Sequence, residues 1–392
     1  MAPGEGNWMS EFFQHIFNVL GHGLIGYIIP FLFVLTVVVF FHELGHFLIA
    51  RWAGVKVLTF SLGFGPELAG FNDRHGTRWR ISAVPHGGYV KFFGDDSEAS
   101  TPDPETLGNM TAEEQAGSFH HKNVWPRAAI VAAGPIANFL LAILIFAGMA
   151  LYFGKPNSIP RVDAIQADSA AVAAGFQVGD VVTSIDGSAI ESFDDMKRIV
   201  STSSGSQLVF KVKRDGAEIT LSATPLIREE KDVFGNSHKI RMLGIQHTPQ
   251  PGDPKSATPV GYLESLKIGI EQVWFIITST FKFVGSLFVG AGSTGDLGGP
   301  LRIAQLSGQA ASLGFQYLLG LCAALSVSIG LLNLFPVPLL DGGHLLFYSV
   351  EAVRGRPLSP RAQEMGSRIG LGLVLMLMVF VTYNDILHFA SS

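Results

Sequence analysis

The 392-residue chain has one cysteine, Cys322, so no disulfide can form within it and no thiolate cluster can hold a metal. Cys322 stands in an apolar stretch and reads as a small packed residue rather than a nucleophile. Charge is scarce as well. Only 15% of residues are Asp, Glu, Lys or Arg while 48% are hydrophobic, too apolar for an ordinary soluble domain and suited to several membrane spans. The formal net charge of −5 comes without a basic cluster, which argues against nucleic acid as a partner. No Lys or Arg precedes Arg51. The first apolar run therefore lacks the positive flank of a cleavable signal peptide and is expected to remain as an anchor.

Long apolar stretches are what the chain has in quantity. Four of them, at about 24–50, 128–153, 315–336 and 367–387, are long enough or nearly so to cross a bilayer. The third breaks at Pro336 and Pro338, which a helix interior does not accommodate. Arg51, Lys56, Arg74, Arg78, Arg80, Lys91, Lys122 and Arg127 lie between the first two runs, and Arg354, Arg356, Arg361 and Arg368 between the last two. The positive-inside rule then puts both loops in the cytoplasm, with the termini and the 154–314 segment outside. Residues 262–290 are apolar too, but Glu264, Lys267, Glu271 and Lys282 interrupt them. That pattern predicts an amphipathic helix lying in the interface, not a fifth crossing.

The chemistry sits at the end of the first run. Leu24–Phe41 carries no charge and leads into His42-Glu43-Leu44-Gly45-His46, an H-E-x-x-H motif. On a helix, residues four apart share a face, so both imidazoles can reach one zinc ion, and Glu43 beside them can take a proton from water. An ionisable cluster at membrane depth is costly and points to function. A catalytic zinc needs a third protein ligand. Asp341, after the apolar run and the two prolines of NLFPVPLLDGG, is the best candidate, expected to project from non-helical backbone on the same side as the histidines. His344 is one turn further on, near enough to support a ligand. His86, His120 and His121 are expected to face solvent in the cytoplasmic loop, and Asp95–Thr106 to form a polar excursion.

Residues 157–228 are of another kind, mixing polar and apolar positions with turn signals. Strands are predicted at Arg161–Ile165 and Asp180–Ile185, short helices after Ser169 and Ser192, and a hairpin of Gln207–Arg214 with Ala217–Thr224 around Asp215–Gly216. The string AAGFQVGDVVTSIDGSAI resembles a PDZ domain of the kind found in bacterial proteases. Such domains bind extended peptides by strand addition. The other reading is that this copy only obstructs access or stabilises the fold.

HELGH, then GPIAN (Gly134–Asn138), then a PDZ-like segment, then NLFPVPLLDGG (Asn333–Gly343), in that order, resembles the site-2 protease family. Within that family the arrangement resembles the bacterial regulator-of-sigma type, the intramembrane zinc metalloproteases. The resemblance covers nearly the whole chain. It implies that His42, His46 and Asp341 bind zinc with Glu43 as general base. It also implies that Asn138 and Asn333 lie near the active site, where their amides would hydrogen-bond the substrate or the tetrahedral intermediate; helix–helix hydrogen bonding is the equal alternative. Pro85–Asp96 (PHGGYVKFFGDD) resembles a membrane-associated β-element in which Gly87, Gly88, Tyr89 and Val90 would hold substrate as an added strand. Glycines at 87 and 88 equally mark an ordinary turn. SLGFGPEL (Ser61–Leu68) and GDLGGPLRIAQ (Gly295–Gln305) match other family segments without a readable role. The chain has room for one PDZ domain where the Gram-negative stress-response members carry two.

The fold expected is thus a polytopic α-helical membrane protein with four transmembrane helices, an inserted α/β PDZ domain and a membrane-associated β-element. Its expected parts are residues 1–153 (first two spans with the cytoplasmic β-loop), 157–228 (PDZ), 229–310 (linker and interfacial helix) and 311–392 (last two spans). The function expected is that of a zinc endopeptidase of the bacterial inner membrane, active site toward the cytoplasm and PDZ domain periplasmic. Its partners would be single-span membrane proteins, such as anti-sigma factors or signal-peptide remnants, a peptide C-terminus or substrate ectodomain at the PDZ domain, and the lipid bilayer. Two rivals remain, a membrane-anchored PDZ scaffold with a non-catalytic zinc site and a metal transporter. An intact Glu43 disfavours the first, and ligands converging from only two spans disfavour the second.

Overall fold

Apolar length dictates the helices. The computed structural model describes residues 25–95, 104–156, 158–203, 205–231, 237–248, 257–288 and 297–391. In chain order its main elements are α1 (Ile25–Trp52), β1 (Val57–Asn72), β2 (Arg78–Phe92), α2 (Val124–Phe153), β3 (Val181–Ile185), α3 (Phe193–Ser201), β4 (Leu208–Arg214), β5 (Ala217–Ala223), α4 (Tyr262–Phe288), α5 (Pro300–Leu313), α6 (Phe315–Asn333), α7 (Asp341–Arg354) and α8 (Pro360–Ser391). Among the described residues four helices are long and apolar enough to cross a membrane: α1, α2, α6 and the Arg361–Leu387 part of α8. These are the four apolar runs of the sequence. The α4 helix, interrupted by its four charges, is not one of them.

Two compact units emerge, one of residues 25–145 with 298–386 and one of 146–297 with 387–391. In the first, α1 is the hub. Val34 and Val38 pack against Leu318 and Cys322 of α6, and Ala310 and Ala311 of α5 close over them. Cys322 is fully buried, as expected of a packing residue. About two and a half turns further along α1, Phe47 and Ala50 share a second cluster with Phe60 of β1, Val90 of β2, and Ile130 and Val131 of α2. The β-element is thereby fixed against the same stretch of α1 that carries the H-E-x-x-H motif. Its two long strands pair antiparallel and double back, so that Phe60, Ser61 and Leu62 are each partnered twice, by Val90, Tyr89 and Gly88 and by Trp79, Arg80 and Ile81.

Two expectations for this unit need correction. The third apolar run stops at Asn333, and a new helix begins at Asp341. Asp341 is thus the first residue of α7, not a projection from irregular backbone. The prolines end one helix without preventing the next, and a carboxylate in a first turn is favoured by the helix dipole. Leu339 makes the bend with φ +89°, a left-handed conformation rarely tolerated by a branched side chain. His120 does not face solvent either. Its Nε2 is 2.8 Å from Oδ1 of Asp95, whose carboxylate is buried and accepts the Phe92 N–H at 2.8 Å. His121 is exposed, as expected. Of the polar 95–106 stretch, residues 96–103 lie outside the described residues.

The segment GDLGGPLRIAQ also acquires a physical reason. The α5 helix has no side-chain cap of its own, because Gly299 occupies its N-cap. Asp385 of α8, fully buried, accepts instead from the N–H groups of Gly299 (2.8 Å), Leu301 (3.1 Å) and Arg302 (3.2 Å). A Cβ at Gly299 would stand 2.7 Å from the Asp385 carboxylate. Asp385→Ala leaves the three N–H groups at the start of α5, that of the buried Gly299 among them, without this acceptor and is expected to destabilise this unit by about 1–3 kcal/mol, read as a lower unfolding midpoint of the full chain in detergent.

In the second unit a four-stranded sheet runs in the order Ser188–Ala189, β3, β4, β5. The β4–β5 hairpin turns at Asp215 and Gly216, both with positive φ, and Ser192 caps α3 through the Asp195 N–H at 3.1 Å. The core of Val162, Phe176, Val182, Ile185, Phe210 and Val212 also takes in Leu243 and Ile245, because Ile245–Gln246 pairs with Ala164–Ile165. Arg214 donates to both oxygens of the buried Asp180, at 2.7 and 2.8 Å. Burial alone would raise the Asp180 carboxyl pKa; the Arg214 guanidinium and the Gln177 N–H outweigh it and hold it below the usual carboxylate range. A carboxyl depressed on folding adds stability above its unfolded pKa of about 3.9, and that stability is lost as pH falls through the folded value. Asp180→Asn is therefore expected to cost about 1.5–3 kcal/mol at neutral pH. In pH-dependent melts the gap between variant and wild type should narrow below about pH 4.

Candidate active site

His42 and His46 stand one turn apart on α1 and point the same way, with their Nε2 atoms 3.3 Å apart. Oδ2 of Asp341, brought over by the first turn of α7, lies 3.2 Å from His42 Nε2 and 3.6 Å from His46 Nε2. Each of the three residues thus offers one ligand atom to a common centre. Four ligands around zinc at about 2.0–2.1 Å form a tetrahedron with edges of about 3.3–3.4 Å, which these separations match. The atoms are also the right kind. His46 Nδ1 is 2.8 Å from the Ile130 carbonyl oxygen, which can only accept, so the proton sits on Nδ1 and Nε2 presents a lone pair. Oδ2 of Asp341 is buried and receives no hydrogen bond. Lone pairs converging at these distances repel one another unless a cation lies among them.

Small residues make the room. Gly45 lets α1 meet α2, since a Cβ there would stand 2.8 Å from the backbone carbon of Ala133 and from Cβ of Ala137. Gly134 faces the two imidazoles, and a Cβ on it would overlap His46 Nε2 and approach His42 Cε1 to 2.9 Å. Gly342 does the same for the turn before Asp341, where a Cβ would collide with the carbonyls of Leu334 and Phe335. Arg127 at the start of α2 ties to Glu351 near the end of α7 and lies 4.9 Å over the ring of Tyr348, joining the two helices that flank the site.

The β-element reaches Glu43. A Cβ on Gly88 of β2 would stand 3.1 Å from Cγ of Glu43 and 2.9 Å from Val39, so the strand passes directly over that face of α1. Gly87 has φ +110°. Tyr89 and Val90 are buried, 6% and 4% exposed, and pair with Ser61 and Phe60 of β1. Asn138 is fully buried with its amide 3.3 Å from His42 Nδ1, and its backbone carbonyl accepts from Ser326 Oγ of α6 at 2.9 Å. Asn333 ends α6, half-buried, and its side chain makes no hydrogen bond among the described residues. His344 follows Asp341 by one turn without a side-chain hydrogen bond among the described residues; its ring meets Phe347 edge-on.

The sequence left two members of this arrangement without a role. The Ile130 carbonyl is backbone and leaves no mark on residue identity. Gly134 was visible as part of GPIAN, and a glycine followed by a proline inside a membrane-length run was the available signal of a close approach.

The Peptidase family M50 model matches residues 30–377. A protein of Rhizobium meliloti (strain 1021) bearing the name zinc metalloprotease is 51% identical over 361 residues, which cover 92% of this chain and 96% of that one. A namesake from Mesorhizobium japonicum is 48% identical over 365 residues, covering 92% and 99%. Metalloprotease MmpA of Caulobacter vibrioides is 37% identical over 386 residues, covering 93% and 96%. Among solved structures, the PDZ domain of an SdrC-like protein from Listeria monocytogenes overlaps 23% of this chain and 87% of its own at 18% identity, with a TM-score of 0.19, too low to place the domain. With a histidine pair and a carboxylate converging as zinc ligands do, and relatives of this extent, the chain belongs to Peptidase family M50 and is a zinc metalloprotease.

Proposed function

We propose that this metalloprotease is an intramembrane endopeptidase that cuts single-span membrane proteins within or near their transmembrane segment. One observation carries the reading: the three converging donors lie in a helix long and apolar enough to span a bilayer and at the start of the helix that follows another. His46 and His42 precede Arg51 by five and nine residues, about 7–14 Å along α1 at 1.5 Å per residue. With Arg51 at the cytoplasmic surface, that depth is inside the hydrocarbon region, where a peptide bond of a membrane-embedded substrate is found.

His42, His46 and Asp341 would hold the metal. Zinc bound there supplies a Lewis acid for the scissile carbonyl and a lowered pKa for the attacking water. Glu43, one residue from His42 and against Gly88, takes the proton from that water and returns it to the leaving amine. A helical substrate hides its peptide bonds and must be unwound before it is cut. The backbone of Gly87–Val90 is placed to pair with the unwound segment as an added strand, which satisfies polar groups that lipid cannot. The Gly88 contact with Glu43 would bring such a strand alongside the base. In this reading the chain resides in the bacterial inner membrane with the zinc site toward the cytoplasm. The PDZ-like unit is periplasmic and takes an extended peptide from the substrate ectodomain or a C-terminus. Anti-sigma factors and signal-peptide remnants are the substrate classes that fit this chemistry.

The test is a tagged single-span reporter reconstituted with the purified full-length chain in liposomes, its products mapped by mass spectrometry. Cuts inside the apolar segment that a chelator abolishes are expected. Cuts confined to a soluble flank would overturn the intramembrane reading.

A further inference from the structure

Asn138 is fully buried on α2, yet its side chain has only one hydrogen-bonding neighbour among the described residues, Nδ1 of His42 at 3.3 Å. Burying an amide in apolar surroundings costs about 1–3 kcal/mol unless it is bonded, so a leucine there would be the cheaper residue for stability alone. The return must come through His42. Which amide atom faces the ring follows from the chemistry of the other nitrogen. Nε2 of His42 is aimed at the common centre with His46 and Asp341 and must present a lone pair there; the ring proton is then on Nδ1. The structure sets Asn138 Nδ2 against Nδ1, with Oδ1 left unpartnered; a protonated Nδ1 requires an acceptor, so the two ends of the amide are exchanged and the carbonyl oxygen faces the ring. The two ends of an amide differ by assignment rather than by shape.

We propose that Asn138 is a positioning residue that fixes the tautomer and ring angle of His42, so that α2 sets both histidines. Ile130, eight residues earlier on the same helix, does this for His46 through its backbone carbonyl at 2.8 Å. The two acceptors differ in kind. The carbonyl at Ile130 survives any substitution, whereas the one at residue 138 is a side chain and can be removed. Ser326 Oγ donates to the Asn138 backbone carbonyl, and a Cβ on Gly330 would stand 3.1 Å from Asn138 Cβ, so α6 packs closely on the residue. This inference rests on His42, His46 and Asp341 being the zinc ligands.

Zinc affinity of the full-length chain, measured by chelator competition, separates the two claims. His46→Ala in the same assay tests the ligand set: loss of tight binding supports it, and retained affinity overturns it whatever Asn138 does. Asn138→Leu keeps the volume and removes the acceptor, and is expected to weaken zinc about 10–100-fold. Asn138→Asp keeps an acceptor against Nδ1, on the far side of the ring from the metal, and is expected to bind zinc at least as tightly as wild type. The visible spectrum of the cobalt-substituted protein should change for the leucine variant and not for the aspartate one. Unchanged zinc affinity in Asn138→Leu with a raised KM would instead make Asn138 a substrate contact and overturn the proposal. Equal weakening in both variants, with a lowered melting point of the chelated protein, would overturn it as simple packing. If the leucine variant does not fold, the aspartate variant decides alone: wild-type affinity supports the role, and a tenfold loss contradicts it.

Discussion

Glu43→Gln is expected to lower turnover by about 10²–10⁴-fold or more while the protein keeps its zinc. Glutamine has the size of glutamate but cannot accept a proton from water, so the change removes one chemical step and little else. Among the described residues no hydrogen bond joins the Glu43 carboxylate to the three converging donors, and a Cβ on Gly88 would stand 3.1 Å from its Cγ. The helix that presents the ligands should be unaffected, because α1 is held by Val34 and Val38 on one side and by Phe47 and Ala50 on the other. Parallel assays of reporter cleavage and zinc content check this. Zinc loss in the variant would make Glu43 part of the binding site, and unimpaired cleavage would remove it from the chemistry.

Gly134→Ala is expected to lower zinc affinity about 10–100-fold, the equivalent of the 1–3 kcal/mol that overpacking typically costs. The added methyl would overlap His46 Nε2 and come within 2.5 Å of His46 Cε1. His46 cannot swing aside without giving up the bond to the Ile130 carbonyl, and α2 cannot withdraw without separating from Gly45. The ring must turn, and its lone pair turns with it. Metal titration of the purified variant against Gly148→Ala, a substitution on the same helix with open space around it, checks the effect. Equal affinity in both would show that α2 stands further from the histidines than these contacts require.

The parts of the site carried by short-range pattern were legible in the sequence. His42 and His46 were readable because a helix puts residues four apart on one face. Asp341 was readable because a charge after an apolar run and two prolines is hard to explain otherwise. The four helices long and apolar enough to cross a membrane were readable from apolar length. What the sequence did not contain were agreements between distant segments. Ile130 is 84 residues from His46 and Asn138 is 96 from His42, and their pairing depends on how α1 and α2 cross. Asp385 had no visible reason to sit in an apolar run until α5 was seen to begin against it. The irregular backbone expected at Asp341 was instead a helix start, because prolines fix where a helix stops and leave open where the next begins.

The most direct measurement is zinc K-edge absorption of the purified full-length chain beside Asp341→Ala. Two nitrogen ligands and an oxygen at about 2.0–2.1 Å, with no sulfur, are predicted for the wild type, and a loss of bound metal for the variant. A sulfur shell at about 2.3 Å, or an unchanged spectrum in Asp341→Ala, would contradict the account.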